Sequence, residues 1–486
     1  MTDEAERRTW RATGPALRAA KELPSLDAAF DACGIGDGAV LSFHHHLRNG
    51  DAVLAQVLAV AAGRGIGGLG LAPTAVFPSH AALAAHFAHG TVERVWTSYM
   101  TGAAADAVAR GALAAPMVFL SHGCRAAAVE RRRIPVDVAF IAAPVATPEG
   151  DLTGATGRAA FGPLGYPQSD ARAARHRVAL VEEIRPGPLP RVEIPGARID
   201  HIVRVGSIGD PAGILSGATR LARDPTGLAI ARRVAAAVAA SGHLREGLSL
   251  QTGAGGVSLA AAAEIGTAME AAGVRGGVLS GGIAAAHVDL LRRGLFREIR
   301  DVQCFDREAV ASYAADPRHR AMSAAEYASP DHPDPVAGRL DVVVLGAAEI
   351  DRDFDINVIT AGDGRIIGGP GGHPDTAAGA KLTVAATRLT AEGYPKVVAR
   401  VGTVTTPGRD VDLLVTEAGI AVSPARPELA ARLREAGLPM VSVEELIARS
   451  AALSERSPRR GDGPEVAVIE DRAGGLLDRV RRIGGD

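Results

Sequence analysis

The chain has 486 residues and a mass of 49.7 kDa, which predicts two or three domains with full-sized cores. Hydrophobic residues make up 47% and charged residues 22%, a globular balance too apolar for a disordered chain. A formal charge of −2 and 3% aromatics argue against a nucleic-acid stripe, a polybasic membrane anchor and a stacking platform for single strands.

No apolar run approaches the ~18 residues of a transmembrane helix, and the opening MTDEAERRTWRATG lacks the apolar stretch of a signal peptide. Cys33, Cys124 and Cys304 are scattered, forming neither a disulfide framework nor a zinc knuckle. The expectation is a cytoplasmic protein without a metal. Lys21, Lys381 and Lys396 are the only lysines among 53 basic residues, so each is a candidate for a specific role.

In chain order, the first clear pattern starts at Gly38: a short apolar strand, a loop of Gly and polar residues, then an Ala/Val/Leu helix. It returns from Gly247, 209 residues later. Gly90 in HFAHGTVERVWTSY then pairs with Gly294 in LLRRGLFREIRDVQCF, and Asp137 in PVDVAFIAAP with Asp341 in RLDVVVLGAA. The loop at 162–167 matches 369–374, and Asp200 matches Asp412. These pairs keep their order at separations of 204 to 212 residues, which predicts two homologous α/β domains in tandem. Apolar strands at 136–142, Val342–Leu345 and Leu413–Val415 alternate with Ala-rich helices, so mainly parallel sheets covered on both faces are expected. The domains are expected over residues 1–218 and 219–450, with 451–486 a polar linker and terminal β-hairpin. Two such domains imply a cleft at the strand C-termini.

Four loops carry residues suited to chemistry. The first holds His44, His45, His46 and Arg48 where a strand yields to a helix, with Asp51 as N-cap. Three imidazoles, a guanidinium and a helix N-terminus favour an anion; a packed loop is the plainer reading, and adjacent histidines cannot all face one metal ion. The second, 121–125, follows a strand at 116–120. Arg125 suits a carboxylate clamp, whereas Cys124 beside His122 lacks a third group for nucleophilic catalysis. The third, Gln251-Thr252-Gly253-Ala254-Gly255-Gly256, is the counterpart of the histidine loop and leaves room for a large ligand.

The fourth runs Gly368-Gly369-Pro370-Gly371-Gly372-His373-Pro374-Asp375. Serial glycines let backbone N–H groups converge on an oxyanion or phosphate. Its twin carries Leu164 and Tyr166 in place of Gly371 and His373, as expected if a duplicated chain keeps one active site. Lys381 lies just downstream, placed to meet a carboxylate or phosphate. No GxSxG, HExxH, Walker A or CxxC is present. Gly63, Gly65 and Gly68 fit GxGxxG but follow a helix and precede a strand, the reverse of the dinucleotide setting.

Taken together, SFHHHLRNGD, SHGCRAAAVE, VDVAFIAAP, GSIGDPAGILSGATR, LQTGAGGVSLA, GGHPDTAAGAKLT and VTEAGIAVSPARP resemble the citrate lyase alpha subunit family, within the class I CoA-transferases. The resemblance spans about residues 23–483; Cys124 stands where a second Gly is expected in SHGCR. It implies two CoA-transferase-like α/β domains and a citrate:acyl-carrier-protein transferase. An acetyl thioester on an acyl carrier protein, or on CoA, reacts with citrate to give citryl thioester and acetate. The partners it implies are citrate, a citryl-lyase beta subunit and an acyl-carrier gamma subunit in an oligomer, with no tightly bound cofactor.

A citrate carboxylate is already ionised at pH 7, so this step needs positioning and an oxyanion site rather than a general base. On that basis Gly371, Gly372 and His373 are expected at the reacting carbonyl. His44, His45, His46, Arg48, Arg125 and Lys381 are expected towards citrate, and Gly253, Gly255, Gly256, Gly281 and Gly282 along the thioester. Ordinary class I CoA-transferases carry a glutamate in an E-x-G turn after the second strand of the second half. Here the strand at 276–279 is followed by Ser280-Gly281-Gly282-Ile283, which favours direct attack through a mixed citric–acetic anhydride. The alternatives are a general carboxylate CoA-transferase using Glu349 or Glu417 as nucleophile, and a non-catalytic ligand-binding or scaffold subunit.

Overall fold

Strands such as Val342–Leu345 and Leu382–Ala386 are apolar without alternation and are buried on both faces. The computed structural model describes residues 21–44, 46–215 and 220–484; the opening segment, His45 and the expected boundary at 218/219 lie outside them. Two large, mainly parallel sheets form. One runs Met117–Phe119, Val92–Thr97, Leu69–Pro73, Val40–Phe43, Val138–Ala146, His176–Ile184, His201–Arg204. The other runs His319–Ala321, Phe296–Cys304, Gly276–Ile283, Leu250–Thr252, Val342–Leu345, Leu382–Ala386, Leu413–Val415. Strand for strand, the order is the same in both.

The repeated residues have matching jobs. The Asp137 carboxylate accepts the Val40 N–H at 2.8 Å and Asp341 accepts that of Ser249 at 2.9 Å. Asp200 takes the Arg177 N–H at 2.8 Å and Asp412 that of Thr383 at 2.7 Å. Each satisfies an amide where a neighbouring parallel strand begins. Gly90 (φ 70°) and Gly294 (φ 74°) both take the left-handed conformation just before a strand.

Two strand boundaries differ from the sequence reading. The strand expected at 136–142 is Val138–Ala146, because Asp137 turns its side chain to the neighbouring strand and pairing continues to Ala146 opposite Ile184. The strand expected to stop at Leu279 continues to Ile283, with a register shift between Gly281 and Gly282. The tail forms its hairpin, Glu465–Glu470 against Leu476–Arg481, and the first of these strands extends the first sheet alongside Met117–Phe119. No described helix is long and apolar enough to cross a membrane.

The halves are stitched reciprocally. The His122 N–H donates to the Gly371 carbonyl at 2.8 Å, and the Ala324 N–H to the Gly165 carbonyl at 3.0 Å. Each Gly-rich loop thus meets a helix start in the other half.

Candidate active site

Beyond the strand C-termini, between the two halves, lies a cleft of about 490 Å³. The second half lines it with residues 251–255, Gly282, Phe305, 345–348 and 367–373, and the first half with Tyr99, His122 and Tyr166. Gly255 and Gly346 present bare backbone to open space. At Gly282 a Cβ would collide with the Phe305 ring, and Gly281 (φ 107°) crosses against the Gln251 side chain. A side chain at either glycine would therefore run into Gln251 or Phe305; the glutamate position of an E-x-G turn is held by Ser280.

Gly371 takes the left-handed conformation (φ 53°) and is bonded on both sides: its N–H donates to the Ser98 carbonyl at 3.0 Å and its carbonyl accepts from His122. Its amide is therefore spent. The Gly372 N–H has no hydrogen-bond partner among the described residues. A Cβ at Gly372 would strike the Tyr327 hydroxyl, so amide and phenol lie side by side. Gln251 Nε2 donates to that hydroxyl at 2.7 Å, which leaves the phenol proton free to donate.

His373 braces this floor. Its Nε2–H donates to the Gly346 carbonyl at 2.8 Å, so Nδ1 accepts from the Thr406 hydroxyl at 2.7 Å. Burial pulls its pKa down to about 4, keeping it neutral. His122 packs on Tyr166 with ring centroids 4.6 Å apart. Burial, with Arg125 adding to it, lowers its pKa to about 3, and its buried Nδ1 has no partner. The helix carrying His122 is capped across the halves: Asp375 accepts the Ser121 hydroxyl at 2.7 Å and the Gly123 N–H at 2.9 Å. The Cys124 thiol faces the Asp471 carbonyl at 3.7 Å and is pushed up to about 12 by burial and Asp375, so it is no nucleophile.

Several expected substrate contacts lie elsewhere. Arg125, 3% exposed, grips Asp170 with both Nη atoms at 3.0 Å; this clamp already holds a carboxylate of the protein itself. His44 joins the same buried group, with Nδ1 2.8 Å from the Thr74 hydroxyl and Nε2 3.3 Å from Asp170. His46 is buried and stacks on Phe161 at 5.0 Å. Arg48 has a left-handed backbone (φ 53°), and its guanidinium lies 4.7 Å from the Phe305 ring, bringing it to the cleft wall. Lys381 pairs with Asp341 at 2.8 Å in a separate pocket with His243 and Arg426. Gly256 packs on the backbone of Arg220 and Ala222 rather than lining the cleft.

The fallback glutamates are also committed. Glu349, 1% exposed, receives Arg460 Nη1 on both oxygens at 2.9 Å, along with Asn357 Nδ2 and the Gly402 N–H. Glu417 accepts the Leu389 N–H at 3.0 Å. Among the described residues, Asp301, Cys304 and His319 have metal-ligand types close together. They form a closed hydrogen-bonded set, with Cys304 Sγ and His319 Nε2 each 3.1 Å from Asp301, and burial holds Cys304 as a thiol.

The sequence reading missed Phe305, Tyr99 and Tyr327; it singled out Lys396 for its rarity without placing it, and gave Tyr166 only as the plain counterpart of His373. Three of the chain's five tyrosines, Tyr99, Tyr166 and Tyr327, line the cleft; their scarcity was the one available signal.

Residues 19–483 match the family described as citrate lyase, alpha subunit (CitF). The citrate lyase alpha chain of Escherichia coli (strain K12) is 41% identical over 464 residues, covering 95% of this chain and 91% of that one. That of Klebsiella pneumoniae is 38% identical over 475 residues, covering 98% and 94%. A citrate lyase alpha subunit from Streptococcus mutans, solved in complex with citrate, superposes with a TM-score of 0.94 at 37% identity, covering 97% of this chain and 93% of that one. A malonate decarboxylase hetero-tetramer chain from Pseudomonas reaches a TM-score of 0.65 at 18% identity, covering 90% of this chain and 94% of its own; that likeness bears on the CoA-transferase-like fold alone.

Proposed function

Because this chain belongs to the citrate lyase alpha subunit family, we propose that its central cleft exchanges acetyl for citryl on a thioester, with citrate itself as the nucleophile. The thioester is carried by an acyl carrier protein or by CoA. The cleft lining supports direct attack: among the described residues it contains no Asp or Glu. A glutamyl enzyme needs such a side chain within reach of the thioester, and Glu349 is engaged by Arg460, Asn357 and Gly402 instead. The streptococcal relative's citrate supports the ligand class.

A citrate carboxylate oxygen attacks the acetyl thioester carbon, and the carbonyl electron pair moves onto oxygen. The Gly372 N–H and Tyr327 O–H receive that oxyanion, a donor of this kind contributing roughly 10²–10³ in rate. Collapse breaks the C–S bond, leaving a citric–acetic anhydride and a thiolate. The thiolate then attacks the citryl carbonyl and acetate departs. No net proton is gained or lost, so neutral, hydrogen-bonded His373 can serve as a brace. Gly253 and Gly255 leave space for the thioester arm. His44, His46 and Arg125 shape the citrate side from behind the wall. The citryl thioester then passes to a beta subunit, with the carrier as gamma subunit, in an oligomeric complex.

A single turnover with acetyl-CoA and citrate bearing ¹⁸O in its carboxylates tests this. Direct attack sends one citrate-derived oxygen into the released acetate alongside citryl-CoA. Unlabelled acetate, with label appearing on the protein, would replace this route with a glutamyl intermediate. No acyl transfer to citrate from either CoA or the carrier protein would leave the scaffold reading.

A further inference from the structure

Three lysines stand out against a background of arginine, and the structure separates them. Lys21 Nζ donates to the Gly196 and Ile199 carbonyls, the latter at 2.7 Å, and Lys381 Nζ pairs with Asp341 at 2.8 Å. Lys396 lines the central cleft, as residues 346–348 and His373 do. Among the described residues its Nζ has neither a hydrogen-bond nor an ion-pair partner.

Its backbone is held on both sides. The Lys396 N–H donates to the Leu389 carbonyl at 2.8 Å, and its carbonyl accepts the Ile350 N–H at 2.8 Å. The next residues, Val397–Val398, pair with Glu349–Asp351. The amine is therefore delivered to the cleft from a bend pinned between the short strands Tyr394–Pro395 and Val397–Val398. Nearby charges are Arg388 and Glu417, and the Glu417 carboxylate accepts the Leu389 N–H.

Lys396 is half-buried, and an amine partly withdrawn from water without a counter-ion carries a cost that an arriving anion offsets. Burial first, then Arg388, lowers its pKa to about 8, with Glu417 opposing, so it is still mostly protonated at pH 7. The two histidines on the wall are neutral. Lys396 is thus the second half's cationic side chain in the cleft lining, facing a wall that the Arg48 guanidinium reaches from the first half at Phe305, and the described lining has no carboxylate of its own.

We propose that Lys396 is a specificity-determining residue that anchors a non-reacting carboxylate of the tricarboxylate substrate, holding citrate while another carboxylate attacks the thioester. The assignment rests on the citrate reading above. A compact ammonium on a backbone-pinned bend gives a point anchor for one carboxylate. It leaves the reacting carboxylate near Gly372 and Tyr327 uncompensated and nucleophilic. A substrate lacking one acetate arm would gain less from the same anchor.

Calorimetry with citrate and with malate, on wild-type protein and Lys396→Met, tests the assignment. Citrate Kd is expected to rise at least about tenfold, the loss of one charge-assisted hydrogen bond, while malate changes by less than about threefold. KM for acetyl-CoA stays within about twofold, and the urea midpoint holds or rises because a desolvated charge has been removed. Lys396→Cys treated with 2-bromoethylamine, with treated wild-type protein as control, regains citrate affinity. An unchanged citrate Kd in Lys396→Met overturns the assignment. So does a raised KM for acetyl-CoA with citrate unaffected, which would move the amine to the thioester's phosphates. Wild-type protein that binds citrate yet forms no citryl thioester on either CoA or the carrier protein refutes the transferase reading and leaves the Kd comparison decisive for Lys396. Wild-type protein that binds no citrate refutes both.

Discussion

Glu349→Gln separates a buried structural carboxylate from a catalytic nucleophile. Glu349 lies behind residues 346–348 of the cleft wall and accepts from Arg460, Asn357 and the Gly402 N–H, all at 2.9 Å. Glutamine keeps one oxygen for Asn357 and Gly402 but turns an amide N–H₂ towards the Arg460 donor. Losing one charge-assisted bond costs roughly 1.5–3 kcal/mol. Because the Arg460 side chain is 36% exposed, water compensates part of that, and about 2 kcal/mol remains. The expected result is a lower urea midpoint with an unchanged m-value, and kcat for citryl-CoA formation within about threefold of wild type below the transition. Hydroxylamine trapping under turnover finds no modified glutamate. A variant of wild-type stability whose kcat falls by about 10⁴ or more would refute the reasoning, since only loss of a reacting group acts that way.

Arg125→Met leaves the fully buried Asp170 without its main partner and is expected to cost about 3–5 kcal/mol. Citrate KM of the folded fraction then stays within twofold; a tenfold rise would return Arg125 to the substrate. Gly372→Ala is allowed by its backbone (φ −95°) but drives a Cβ into the Tyr327 hydroxyl, with ring carbons 3.0 Å away. It should lower kcat/KM by about 10². Adding Tyr327→Phe should cost little more, and full additivity would separate the two donors. Folding stability should fall as pH drops from about 6.5 towards 4. His122, His287 and His373 have folded pKa values near 3, 4 and 4, so the unfolded chain binds more protons in that window. Asp375 and Glu193, raised by burial to about 6 and 7, oppose this, because there the folded chain holds the extra proton. The balance near pH 5 is roughly one proton, or about 1.4 kcal/mol per pH unit. Urea midpoints at pH 5 and 7 measure it, and a midpoint that holds or rises at pH 5 would contradict it.

Much of the architecture was legible in the sequence because its determinants are local and occur twice. Unbroken apolar runs specify strands buried on both faces. Asp137, Asp200, Asp341 and Asp412 each mark a strand entrance, while Gly90 and Gly294 each supply a left-handed turn. Two copies in the same order imply the same strand order, and that order is found. The Gly-rich loop at the cleft was legible too, since a left-handed Gly371 and a close approach at Gly372 demand glycine whatever surrounds them.

Which charges face the cleft was decided only by the tertiary structure. Arg125 and Asp170 are 45 residues apart, Lys381 and Asp341 are 40 apart, and Arg460 and Glu349 are 111 apart. A desolvated charge must find a partner, and local spacing does not say which distant carboxylate folds against it. So Lys381, expected towards citrate, and Lys396, singled out only by its rarity, end differently: one paired away from the cleft, the other an amine on its wall without a partner among the described residues. The tyrosines follow the same logic, because Tyr99, Tyr166 and Tyr327 converge only when the two halves pack against each other.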